Sequence, residues 1–211
     1  MNEKKPVGRF VIYFIAIYGL FLITSPVGDK IFAEYYRSFG KTFFYSFIDK
    51  GAVGFVKIKK PALPKFSTEM RLANREVMNK AIDANKPYQN ARVEVSSWYA
   101  GYLQVALLFS LIAATPFIGW KRKLVALAFG VLLMHALIWF QLYIQVLYEF
   151  DRNEFLQVIH FSPFWQRVMD ALHYLFVETM GLRFVIPVFI WILVTFRKND
   201  LNELLKPAAF R

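Results

Sequence analysis

The chain has 211 residues, 57% of them hydrophobic, 18% aromatic and 19% charged, with a formal net charge of +11 and no cysteine. Uncharged runs of 20 or more residues exceed what a soluble core of this size needs, so the composition is that of an integral membrane protein. The missing thiols exclude disulfides, thiolate metal sites and cysteine nucleophiles, while the positive charge clusters beside apolar runs, where topology and anionic lipid explain it better than nucleic acid does.

Taken in order, Met1–Arg9 carries Lys4, Lys5 and Arg9, and Phe10–Thr24 is uncharged and rich in Ile, Phe and Tyr. A signal peptide begins in the same way, but Thr24-Ser25-Pro26-Val27-Gly28 offers no small-x-small cleavage site. Residues 1–28 are therefore expected to be a basic N-terminus and an uncleaved first transmembrane helix. Residues 29–97 are the longest polar segment. Within it, Ile31–Ile48 is aromatic-rich and is predicted to be an amphipathic helix at the membrane surface, with rings such as Tyr35, Tyr36, Phe39 and Phe43 at headgroup level. After Gly51 and Gly54 the pattern alternates through Phe55–Lys59, Met70–Asn74 and Arg92–Ser96, with Pro61, Pro64 and Pro87 as breaks. Three short antiparallel strands are expected, resting on the membrane helices because so small a sheet is marginal alone. A partly helical Glu69–Asn85 is the other reading of that stretch.

Residues 98–148 read as a transmembrane hairpin. Trp98–Phe117 holds no charge over 20 positions, a reach of ~30 Å, and Leu124–Leu147 is again uncharged after the basic knot Gly119-Trp120-Lys121-Arg122-Lys123. Residues 149–181 are expected to be an outer loop and amphipathic helix, with Val168, Leu172, Leu175 and Phe176 on one side and Arg167, Asp170 and His173 on another. Residues 182–211 supply a short fourth span, Leu182–Phe196 with Arg183 snorkelling at its start, and a basic tail. The predicted fold class is an all-α integral membrane protein of four transmembrane helices, with a small extracytoplasmic α+β insertion between the first two. The three segments Met1–Arg9, Gly119–Lys123 and Arg197–Arg211 hold three, three and four Lys/Arg, which predicts both termini on the cytoplasmic side.

Residues able to carry chemistry are few. His135 lies near the middle of the third span, either as a functional group or as a neutral imidazole bonded to a backbone or hydroxyl group. Gln141 and Gln145 share a neighbouring helix face and are expected to act as interhelical hydrogen-bond donors and acceptors. Ala106, Ser110 and Ala114 recur every four residues, with Ala126 and Gly130 as a matching notch, a pattern that lets helices approach closely. Asp170, His173, Glu178 and Arg183 form an outer polar group, read first as the solvated face of an interfacial helix. An acid–base pair of Asp170 and His173 is the sharper alternative. No metal-ligand spacing, nucleophile elbow or phosphate-cradling loop is present, so no cofactor, metal or catalytic residue is expected.

The order Ala91–Ser97, Leu107–Ala114, Thr115-Pro116, Trp120-Lys121-Arg122-Lys123-Leu124, Ala126–Gly130 and Leu132–His135 resembles the membrane proteins associated with exosortase H. The resemblance covers about residues 50–150 and is one of order and composition, carrying no catalytic residues. It implies a multi-span protein of a bacterial inner membrane, with the lipid bilayer and a membrane protein, such as an exosortase, as partners. The function expected on this basis is that of a non-catalytic auxiliary or scaffold. A structural subunit of another complex, such as a respiratory or photosynthetic assembly, is the first alternative. A membrane-interface enzyme acting on lipid or lipid-linked sugar through Asp170, His173, Glu178 and Arg183 is the second.

Overall fold

The computed structural model describes residues 5–45, 48–59, 65–116, 118–156 and 158–196 and is mostly helical, with one three-stranded sheet. The chain starts in α1 (Lys5–Ile23), most of whose side chains face outward as bare hydrocarbon. It turns by 73° at Thr24 into α2 (Ser25–Phe44). Pro26 has no N–H to continue the ladder, and side-chain hydroxyls bond carbonyls in the last turn of α1. The Thr24 hydroxyl donates to Leu20 O at 2.8 Å, and the Tyr102 hydroxyl donates to Phe21 O at 2.9 Å. The bend therefore falls before residue 28, and the surface helix begins at Ser25, earlier than the aromatic pattern indicates. That helix buries Ala33, Tyr36, Arg37, Gly40 and Phe44 along one stripe.

The sheet has the order β1 (Gly51–Lys57), β2 (Thr68–Asn74), β3 (Ala91–Val95), all antiparallel, with Phe55 opposite Met70 and Met70 opposite Val93. Between β2 and β3 lies a short helix, α3 (Arg75–Asp83), capped by Asn74, whose Oδ1 accepts from the Glu76 and Val77 amides at 3.0 and 3.3 Å. Val53, Phe55, Met70, Leu72 and Ala91 point to one face and are buried. They meet Tyr36 and Phe44 from α2 and Leu142, Val146 and Phe150 from a long helix, α5 (Trp120–Arg152). Two glycines set how closely these layers meet. A Cβ on Gly40 would stand 2.8 Å from the Phe55 ring, and one on Gly51 would stand 2.8 Å from Phe150. Each fully buried ring contributes about 1.5–3 kcal/mol by leaving water, which a sheet this small requires.

A π-helical turn at Trp98–Tyr102 leads into α4 (Leu103–Ala114), and the pair is a 17-residue apolar helix of ~25 Å rather than the full 20-residue run. Thr115-Pro116 ends it. α5 runs for 33 residues, ~50 Å, and is by itself long and apolar enough to cross a membrane. Its last turns stand clear of the apolar stretch and carry the sheet. α6 (Pro163–His173) continues through a π-helical turn, Tyr174–Glu178, and bends by 77° into α7 (Met180–Thr195). The α1–α2 and α6–α7 pairs reach spanning length only when each bent pair is taken together, and α4 is a shorter apolar helix. Four separately sufficient crossings, as hydropathy indicates, are thus replaced by one long helix, a short one and two bent pairs.

At the other end of α5, the basic knot closes neighbouring helices. Arg122 donates to Thr195 O at 2.7 Å and Lys123 donates to Ala113 O at 2.6 Å, so both cations sit on orphan carbonyls at helix C-termini. The Trp191 indole N–H donates to the Thr115 hydroxyl at 3.0 Å. The tail, Arg197–Arg211, lies outside the described residues.

Candidate functional site

Above the apolar part of the helices, α5 presents Gln141, Gln145, Glu149 and Asn153 at intervals of four, one above another on a single face. The upper members are tied together. Gln145 Nε2 donates to Glu149 Oε1 at 2.7 Å, and Asn153 Nδ2 donates to Glu149 Oε2 at 3.2 Å. Burial raises the Glu149 carboxyl above its ordinary value, and these two hydrogen bonds oppose the rise.

The α6–α7 bend brings His173 onto this ladder. Its Nε2 stands 3.1 Å from Gln145 Oε1, which leaves Gln145 as the acceptor, and its ring stacks on Tyr148 with centroids 3.8 Å apart. Its Nδ1 faces Glu178 Oε1 at 3.3 Å. A neutral imidazole has one N–H, so both contacts become hydrogen bonds only when the ring is protonated. Burial dominates and pulls His173 below the ordinary histidine value, with Glu178 and Asp170 pulling the other way. Asp170 is occupied elsewhere, in an ion pair with Arg152 at 2.5 Å. The expectation of a solvated polar face is therefore corrected at its centre. His173 is buried, turned toward the Gln145 amide, whereas Asp170 and Glu178 are near its rim.

These groups border a cavity of about 330 Å³. Its walls come from β3 (Val93–Val95) and the following Ser96, α2 (Tyr36), α5 (Gln141, Leu142, Gln145) and the bend (His173, Phe176, Glu178, Arg183). Because β3 is an edge strand of the sheet, three consecutive residues of it line the space. Tyr36 is 2% exposed and Gln141 7%, yet among the described residues neither side chain has a hydrogen-bond partner. Burial holds the Tyr36 phenol above its ordinary pKa, so it is a neutral hydroxyl. Arg183 donates through Nη2 to Val177 O, while its Nε is buried and unpaired. Among the described residues no carboxylate lies within ion-pair distance of it. The Arg183 Nε, the Tyr36 hydroxyl and the Gln141 amide thus border one cavity, with Glu178 as the carboxylate beside His173 on its wall.

The remaining sequence candidates lie elsewhere. His135 Nδ1 bonds to Val131 O at 2.6 Å, and its ring meets Tyr35 and Phe39 edge-on, beside a shallow apolar groove with Phe43 and Trp139. Ala106, Ser110, Ala114, Ala126 and Gly130 are buried, and the Ser110 hydroxyl donates to Ala106 O at 2.7 Å. A Cβ on Gly130 would meet Leu108 at 3.1 Å and Ile112 at 3.2 Å, so α4 and α5 approach closely there. Among the described residues, no group of three or more His, Asp or Glu is placed to hold a metal ion.

Sequence reasoning missed Tyr36, Glu149 and the β3 wall. The four-residue interval from Gln141 to Asn153 was a usable signal for Glu149. Tyr36 gave none, being one ring in an aromatic-rich run. Comparison with protein-family models, with curated proteins and with solved structures gives no match.

Proposed function

We propose that this chain is a non-catalytic, multi-span auxiliary protein of a bacterial inner membrane, a scaffold for a membrane-protein partner of the exosortase type. In this reading α1, α4, α5 and α7 cross the bilayer, α2 and α6 lie on its outer surface, and both termini face the cytoplasm. The 73° and 77° bends support it, since each then separates a crossing arm from a surface arm. The placement of Lys121, Arg122 and Lys123 with the basic terminal segments supports the orientation.

The observation that carries the scaffold role is the shared core. Tyr36, Phe44, Phe55, Met70, Leu142, Val146 and Phe150 make one cluster, so the sheet is held rigidly on a helix that continues into the membrane. Such a frame presents an outer surface at fixed height and orientation. The test is affinity purification from native membranes in mild detergent, with co-purified chains identified by mass spectrometry. The account expects a stoichiometric membrane-protein partner encoded beside this gene, and an exosortase would fit the resemblance. Recovery of this chain alone contradicts the scaffold role.

A second reading, an interfacial enzyme acting on lipid or lipid-linked sugar, draws on one specific observation, the meeting of His173, Glu178 and Arg183 at the cavity. Alanine at each position, with protein levels and phenotype unchanged, rejects it.

A further inference from the structure

We propose that the cavity beneath β3 binds a zwitterionic phospholipid headgroup, its phosphate held by Arg183, Tyr36 and Gln141 and its ammonium by Glu178. The site is distinct from the scaffold role and rests only on the bilayer placement proposed above.

The argument begins with unmet hydrogen bonding. Buried donors without acceptors are costly, about 1–3 kcal/mol each, and are rare in native structures unless a ligand or water completes them. Here the Arg183 Nε is buried without a partner, and the Tyr36 hydroxyl and the Gln141 amide border the same space with no hydrogen bond to protein among the described residues. A guanidinium with no carboxylate partner and a free Nε, beside neutral donors, selects an anion with several acceptor oxygens, as a phosphate diester has. The Glu178 carboxylate, which faces His173, borders the cavity, and a purely anionic ligand would meet it unfavourably. A ligand carrying a primary ammonium beside the phosphate satisfies both sets.

Height decides which zwitterion fits. Gln141 lies one turn of α5, ~6 Å, nearer the apolar end than Gln145, and Arg183 is in the first turn of α7. Glu178 precedes the bend, on the surface arm. The anion-binding groups are thus nearer the hydrocarbon and the carboxylate nearer water. Leu142, Phe176 and Met180 give the cavity an apolar wall for the glycerol and first methylenes. A volume of about 330 Å³ is of the size that a headgroup requires.

The test uses the full chain in mild detergent, titrated with phosphatidylethanolamine or phosphatidylglycerol and read by native mass spectrometry as discrete lipid adducts. The wild type should hold phosphatidylethanolamine several-fold more tightly than phosphatidylglycerol, which has no ammonium. Arg183→Gln should weaken both lipids by about tenfold, the loss of one charge-assisted hydrogen-bonding group, while Arg183→Lys keeps most of the binding. Tyr36→Phe and Gln141→Leu should each weaken both lipids by a smaller factor. Glu178→Gln alters an exposed side chain, folds independently of the outcome, and should abolish the preference between the two lipids. Soluble glycerophosphoethanolamine added as a competitor separates two sources of the same chemistry. Displacement shows that the headgroup alone suffices, and no displacement shows that the intact lipid is the ligand; either upholds the site. Equal binding of both lipids by wild type and Glu178→Gln, or undiminished binding by Arg183→Gln, overturns it. Failure here leaves membrane topology untouched, because topology is read separately by side-specific labelling.

Discussion

His173 shows what burial does to a titratable group. Its ring is buried against Tyr148, and that burial makes the folded chain resist charging it. The folded value is lowered from the ordinary 6.5, which fixes the sign of the pH effect. Above 6.5 both folded and unfolded chains hold a neutral ring. As the pH falls through 6.5 the unfolded chain takes up the proton first, and stability is lost until the folded ring titrates. Glu149 has the opposite sign. Its folded value lies above the ordinary 4.5, so the folded chain gains stability as the pH falls through that raised value toward 4.5. Thermal unfolding followed from about pH 7.5 to about pH 5.5 should show a fall that His173→Gln flattens. An identical slope in the variant contradicts this assignment. The residue level was the least legible in the sequence. A wheel puts His173 beside Asp170 and Arg167, and nothing in the local pattern reveals that α5 extends far enough to meet it.

At the scale of elements, the strands were legible because their alternation reflects a single buried face. Phe55, Met70 and Val93, all of which lie in the alternating runs, meet across β1, β2 and β3. The bends were not legible, because they depend on where stranded carbonyls find donors such as the Tyr102 hydroxyl, 81 positions away from Phe21. Two substitutions test how the elements are joined. Phe150→Ala opens a hole between α5 and the sheet and should cost about 3–5 kcal/mol. Limited proteolysis should then cut the β1–β3 segment while α4 and α5 remain protected. Gly130→Val adds volume where α4 already touches α5, and overpacking there should cost about 1–3 kcal/mol. A melting temperature unchanged by Gly130→Val means that the two helices do not approach as described.

For the whole molecule, hydropathy placed the apolar segments correctly in sequence but overstated their independence. A 20-residue uncharged run became a 17-residue helix, since its end is set by Thr115-Pro116. Helices this short fit a bilayer when flanking arms lie in the headgroups and local thinning takes up the remainder. That makes the bent pairs central to the proposed topology, in which the sheet, the cavity, α2 and α6 lie on one side of the bilayer and the basic knot on the other. The absence of cysteine allows this to be tested with single introduced thiols in an otherwise silent background. Glu76 on α3 and Trp120 at the start of α5 are both exposed, so Glu76→Cys and Trp120→Cys can be labelled without disturbing the core. In intact spheroplasts, a membrane-impermeant maleimide should label Glu76→Cys at once and Trp120→Cys only after permeabilisation. Equal labelling of both before permeabilisation would contradict the account.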